Sequence, residues 1–320
     1  MPSHRVLGNC HYGRYVGKTW FSCLAGILMV AAASPGFAQE LEPRRWNHLP
    51  IDTNFAAVGY AYTHGEIAVD PVLLVEGASM EMHTAAAGYT RTFELFAKSA
   101  RIDVVQGYRN GLWSGLLEGV PTSISRTGWA DTLGRFAINL YGAPPLTQPE
   151  YAVYRAMTPV ETIVGIALTV QLPTGDYMSD KVINLGNNRY MVRPELGVMH
   201  NRGRWSFEVA AGVSFFTDND EFFNGNRLEQ DPVFGLQGHV IYTFRPGLWA
   251  AISGGYELGP LSKINGITKD DRRENLLFSA SVGYPITPQW GLKLGYIGTR
   301  KSRLVGVDAG SLVLGLSTFW

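Results

Sequence analysis

Apolar and polar residues alternate along most of this chain. Between Trp205 and Phe215 the odd positions are Trp205, Phe207, Val209, Ala211, Val213 and Phe215, all apolar, while Ser206, Glu208, Ala210, Gly212 and Ser214 are polar or small. Successive side chains of a strand point to opposite faces, so this spacing predicts a strand with one greasy face. The same alternation recurs in Phe234–Phe244, Leu248–Leu258, Leu276–Ile286 and Trp290–Tyr296. These segments run to about 10–13 residues, roughly twice the usual strand length. That length suits a tilted strand crossing a bilayer, which needs about 9–11 residues.

About twelve such segments can be counted, near 55–64, 80–94, 99–109, 132–142, 161–173, 188–200, 203–217, 231–245, 248–259, 273–286, 289–299 and 308–320. Their connections follow a parity. The links after the second, sixth, eighth and tenth are short, such as Asn201-Arg202, whereas those after odd-numbered strands are longer and polar, such as Asp218–Gln230. Short turns alternating with long loops predict an all-β fold, a transmembrane antiparallel up-and-down β-barrel of about twelve strands. One link departs from the rule: Ala143–Val160 should be short, yet it holds Pro144-Pro145 and a helix-compatible run from Pro149 to Arg155.

Aromatic placement points the same way. Trp205, Phe244, Tyr284, Trp290 and Trp320 belong to the apolar face and lie beside a short turn or at the C-terminus. Rings at one level form an interfacial girdle, because their amphipathic edges suit the headgroup region. The last strand carries Leu312, Leu314, Leu316 and Trp320 on one parity, interrupted by Thr318. A terminal amphipathic strand ending in an aromatic residue resembles the signal that outer-membrane barrels present to their assembly machinery. The opposite parity places Arg101, Asp103, Arg135, Asn139, Arg193, Glu195, Glu208, His239, Glu257 and Lys293 toward the lumen. Both charge signs are present, which suits either internal pairing or solute contact.

The start of the chain reads as an address. Arg5, Arg14 and Lys18 precede an apolar run from Phe21 to Ala33, and Pro35-Gly36-Phe37-Ala38 follows. This predicts a signal peptide over residues 1–38, cleaved after Ala38, with the barrel formed by 39–320. Composition then changes meaning. The whole chain has 27 basic and 27 acidic residues; without the leader, 24 basic and 27 acidic remain, and both cysteines, Cys10 and Cys23, are gone. No disulfide, thiol nucleophile or thiolate metal site is therefore expected in the mature protein. Neutral charge without a basic stripe argues against a nucleic-acid partner. A mean hydropathy of −0.01 averages two opposite faces.

Motifs of catalysis are absent: there is no G-x-x-x-x-G-K-[ST], H-E-x-x-H or G-x-S-x-G. Neither an enzyme nor a cofactor is expected, and Asp218–Glu221 reads as a solvated loop because Phe222 takes a position that would have to ligate calcium. The stretch Leu172–Trp249 resembles the outer-membrane transporter-like family labelled putative MetA-pathway of phenol degradation. The resemblance is carried by Pro173-Thr174-Gly175-Asp176-Tyr177, Asn184-Leu185-Gly186, Asn188-Arg189-Tyr190, Pro194-Glu195-Leu196-Gly197, Trp205 with Glu208, Phe216-Thr217-Asp218-Asn219, Gln230-Asp231-Pro232 and Gly247-Leu248-Trp249. It implies a barrel integral to the bacterial outer membrane that passes small aromatic or hydrophobic solutes through its lumen. The other expectation is a plugged structural or surface-interaction barrel, with the segment 39–54 entering the lumen.

Overall fold

The computed structural model describes residues 41–320 except 69–74, 118, 260, 270, 272–273 and 302–305, so the leader read at residues 1–38 lies outside the described residues. The elements in chain order are β1 (Asn54–Ala68), β2 (Val75–Leu95), β3 (Lys98–Leu117), β4 (Val120–Trp129), β5 (Thr132–Tyr141), α1 (Gln148–Met157) and β6 (Val160–Leu172). After these come β7 (Met191–Arg202), β8 (Trp205–Phe216), β9 (Asn219–Phe222), β10 (Asn226–Gln230), β11 (Val233–Arg245) and β12 (Leu248–Leu258). The chain finishes with β13 (Ser262–Ile264), β14 (Ile267–Thr268), β15 (Glu274–Pro285), β16 (Trp290–Lys301) and β17 (Gly306–Phe319).

Twelve of these strands close a single antiparallel barrel in the order β1, β2, β3, β5, β6, β7, β8, β11, β12, β15, β16, β17. Closure is made by β1 against β17, with Phe55 opposite Phe319 and Ala68 opposite Gly306. The barrel is antiparallel up-and-down, and the twelve segments legible in the sequence are these twelve strands, with β2 starting five residues earlier and β3 ending eight residues later than the sequence pattern places them. Closure leaves no edge for lipid to meet, the condition for a sheet to survive in a bilayer.

Along β7 and β15 buried and exposed residues alternate without a break over most of the strand. Through the body of each strand the exposed set is apolar: Val192, Leu196 and Val198 on β7, and Leu276, Phe278, Val282 and Tyr284 on β15. A barrel whose outer wall is built this way has a hydrocarbon-facing surface, and the protein is an integral outer-membrane barrel.

Three features depart from the simple pattern. β2 and β3 run to 21 and 20 residues and rise past their neighbours. The upper half of β3, Tyr108–Leu117, pairs with β4, while its lower part, Ala100–Val105, pairs with β5. The link expected as a loop between the third and fourth segments is thus a projecting hairpin. Its sequence, VPTSISRTGW, has no continuous apolar face because it stands outside the lipid. Second, the loops after β8 and β12 hold β9, β10, β13 and β14, a separate four-stranded sheet.

Third, the irregular link before β6 contains α1. Its first turn holds Pro149, and Glu150 accepts hydrogen bonds from the Thr147 backbone N–H (2.9 Å) and hydroxyl (2.6 Å). That closes the helix start by the reciprocal capping expected when an acid follows a threonine by three.

Candidate functional site

The lumen is filled at mid-height by the segment 41–53, which precedes β1. Leu41, Glu42, Arg45, Trp46, His48, Leu49 and Ile51 are all buried inside the barrel. Trp46 is the anchor. It packs with Ile163, Ala167, Met199 and Ala137 on the inner wall. Its ring lies so close to the backbone of Gly165 and Gly197 that a Cβ there would come within 2.7 and 1.9 Å of it. The wall is glycine at both positions because an indole occupies the space.

Charged groups hold the rest of the plug. Glu42 pairs with Lys293 of β16. The Arg44 backbone N–H donates to Glu208 at 2.9 Å, and its guanidinium lies 5.3 Å from the centre of the Trp249 ring. Arg45 approaches Glu195 at 3.7 Å. Lower down, His48 Nδ1 meets Glu161 at 3.0 Å and Nε2 meets the Pro144 carbonyl at 2.8 Å. Both partners are oxygens, so the ring is held from two sides, by β6 and by the link that leads to α1. Tyr151 and Tyr154 of α1 meet this ring edge-on at 4.9 and 5.2 Å, which ties the helix to the foot of the plug.

Of the residues assigned to the lumen by parity, Arg101, Asp103, Arg135, Arg193, Glu195, Glu208, His239 and Glu257 are buried, and Asn139 and Lys293 are half-buried. Five of them form one network. Arg101 Nε lies 3.2 Å from Asp103, and Arg135 bridges Asp103 (3.5 Å) to Glu195 (3.4 Å). Arg193 reaches Glu195 at 3.6 Å. Thr90 and Thr169 donate hydroxyls to the two carboxylates. Arg135 also lies 4.9 Å over the Trp46 ring, so the network and the plug share a surface.

The remaining members sit apart. His239 pairs with Ser253 across β11 and β12 at 2.8 Å, Asn139 donates to Ser99 at 2.9 Å, and Asn275 donates to Glu257 at 3.4 Å. Two small cavities, one on the wall at Arg193, Glu195 and Gln237 and one beside the plug at Trp46, Arg101 and Asn139, amount to ≈ 10 and ≈ 20 Å³. Each has room for about one water.

The aromatic set Trp205, Phe244, Tyr284, Trp290 and Trp320 is exposed on the outer wall, between 43% and 60%. Trp205 and Tyr242 meet edge-on at 4.8 Å, as do Tyr242 and Phe244 at 4.9 Å. His83 of β2 is exposed on the outer wall, with its Nδ1 2.5 Å from the Tyr60 hydroxyl. Asp218 and Asp220 turn to Arg227. Among the described residues no cluster of His, Cys, Asp or Glu could hold a metal ion.

Sequence reasoning missed His48, Glu42, Trp113 and the inward Trp249. The glycines beneath the two lumen tryptophans were the available signal, since Gly283 lies under Trp249 as Gly197 lies under Trp46.

A closed twelve-strand barrel with an apolar exterior and a polar, plugged interior defines an outer-membrane β-barrel. The chain belongs to the family described as "Putative MetA-pathway of phenol degradation", whose profile matches residues 62–307. Its fold is similar to that of an outer membrane channel from Pseudomonas putida F1, with a TM-score of 0.73 at 19% identity, covering 88% of this chain and 100% of that one. It is also similar to the translocator domain of the autotransporter NalP from Neisseria meningitidis, with a TM-score of 0.51 at 9% identity, covering 85% and 90%. No curated protein sequence matches the chain.

Proposed function

We propose that the barrel is a channel for passive uptake of small aromatic or hydrophobic compounds, with the segment 41–53 as a displaceable plug. The observation that carries this reading is the state of the inner wall. Thr84 Oγ1, Gln237 Oε1, Asn275 Oδ1, Ser279 Oγ and Ser281 Oγ are shielded and make no hydrogen bond within the protein. A buried polar atom left so costs about 1–3 kcal/mol. A wall carrying a row of them suits a lumen that opens and hydrates. The class of solute is supported by the family description, which refers to phenol degradation.

The charged lumen residues, Arg101, Asp103, Arg135, Arg193, Glu195, Glu208, Glu257 and Lys293, then line the solute path, with Asn139 and His239 as neutral members. The leader 1–38 is removed on export, and the C-terminal strand engages the barrel-assembly machinery. Single-channel recording in planar bilayers tests the reading. The Trp46→Ala variant should conduct at least severalfold more than the parent, because about 3–5 kcal/mol of packing is lost from the plug. Silence from both, together with no solute-driven swelling of liposomes, sinks it. The second reading, a permanently plugged surface barrel, is favoured by the ion pairs that fasten the plug, and that silent outcome would establish it.

A further inference from the structure

The loop from Pro173 to Tyr190, between β6 and β7, is fastened at both ends to one carboxylate. Asp131 Oδ1 accepts the Gly175 N–H at 2.9 Å, and Oδ2 accepts the Asn187 N–H and the Gln171 amide, both at 2.8 Å. Gly175 and Gly186 touch through their backbones, where a Cβ on either would lie 2.8 Å from the other. Between these coincident ends the chain forms a compact Ω-like loop, closed on itself by the Asn184 side chain, which bonds to the Met178 and Lys181 backbones.

The loop reaches back into the mouth of the barrel. Leu185 is buried against Met80, Met82 and Trp113, and Ile183 packs on the same group with Ile67. These wall residues point inward from β2 and β3 and form an apolar patch separate from the one around Trp46. The Leu185 carbonyl accepts from Arg109 Nη1 at 3.4 Å, and the Ile183 carbonyl accepts from Arg126 Nε at 3.2 Å. Two donors in the recess stay unused: Trp113 Nε1 and Arg109 Nε are shielded and have no hydrogen-bond partner. Trp113 is itself only 5% exposed.

We propose that this recess is a binding site for small aromatic compounds carrying an oxygen acceptor, such as a benzoate or a phenolate, and that the ligand displaces Leu185. Leu185 presents what such a ligand presents, an apolar body with a carbonyl oxygen beside it. Two thioethers and an indole form soft, flat walls that suit a ring. A guanidinium and an indole N–H supply directed donors for its oxygen. A plain hydrocarbon would leave both donors unmet, which is a strong basis for rejection. The loop between Asp176 and Gly186 is then a lid that the solute itself opens, since ligand and Leu185 compete for one space. This proposal rests on the uptake reading and names the first site a solute meets.

Benzoate, with cyclohexane-methanol as the uncharged non-aromatic control, is titrated calorimetrically against the full-length barrel in detergent micelles. Leu185→Ser should tighten benzoate binding by about tenfold, because the competing side chain is gone and the apparent affinity rises with the competent fraction. Arg109→Gln and Trp113→Phe should each weaken it, the former by about tenfold, as for loss of a hydrogen bond to a charged group. The control compound should respond to none of them. Retention of the heat-modifiable band on a denaturing gel establishes that each variant is folded. The proposal is overturned if Leu185→Ser leaves benzoate affinity unchanged or lower, or if Arg109→Gln binds benzoate as the parent does. Conductance separates this from the uptake reading. A barrel that conducts without these affinity changes loses the site and keeps the channel; one that binds benzoate as stated yet stays silent loses the channel and keeps the site.

Discussion

At the scale of single residues, the lumen shows how a side chain from one segment dictates the residue on another. Trp46 lies where the Cβ of Gly197 would be, at 1.9 Å, and Gly197 is part of the Pro194-Glu195-Leu196-Gly197 run that carries the family resemblance. The run thus records a packing demand from a residue about 150 positions earlier. Gly197→Ala should force the indole out of its seat, since overpacking costs about 1–3 kcal/mol. The expected consequence is that trypsin cleaves the folded barrel after Arg44 or Arg45, bonds that the parent protects. Continued protection would mean that the wall, not the plug, gives way. The ion pair of Glu42 with Lys293 is testable by exchange. Lys293→Glu alone should raise conductance, and adding Glu42→Lys should restore the parent level; conductance that stays high in the double variant would show that the pair does not hold the plug.

At the scale of elements, parity along a strand decides tolerance to charge. Glu208 is 1% exposed and its neighbour Val209 is 53% exposed, on opposite faces of β8. Val209→Lys should impair assembly, because a charge near the bilayer midplane costs about 2–4 kcal/mol. Glu208→Lys should assemble and shift ion selectivity toward anions. Assembly yields and reversal potentials measure the two, and equal tolerance would contradict the assigned faces. The helix α1 makes a separate prediction outside the membrane. Hydrogen bonds from Thr147 hold the Glu150 carboxyl below the usual carboxylate range. A depressed folded-state value means the stabilisation is complete above the ordinary range and is lost as pH falls through the depressed one. Amide exchange at Tyr151, which donates to the Thr147 carbonyl, should therefore lose protection on acidification after correction for intrinsic rates. In Glu150→Gln the protection should not depend on pH across that window.

At the scale of the whole molecule, the strand number, the faces and the short-turn end were legible because a bilayer imposes a single rule along every strand. Each outward residue must be apolar, and the period of two makes that visible without any partner. The projecting β3–β4 hairpin was not legible for the same reason. Outside the lipid, residues such as Ser123, Ser125 and Thr127 obey no such rule, and the segment read as a loop. The small sheet of β9, β10, β13 and β14 was hidden because its strands are short and pair across loops far apart in sequence.

What the sequence determined by itself is the barrel: closure, approximate strand count, outer belt and inward charges follow from local alternation and link length. What only the tertiary structure decided is how the interior is used. The seating of Trp46 on Gly165 and Gly197, the sharing of Asp103 and Glu195 among arginines, and the return of Leu185 to Met80, Met82 and Trp113 each join segments from different strands. Lipid reads one face of one strand at a time, so its demands are written locally. The lumen is a surface common to twelve strands, and contacts across it exist only once the barrel has closed.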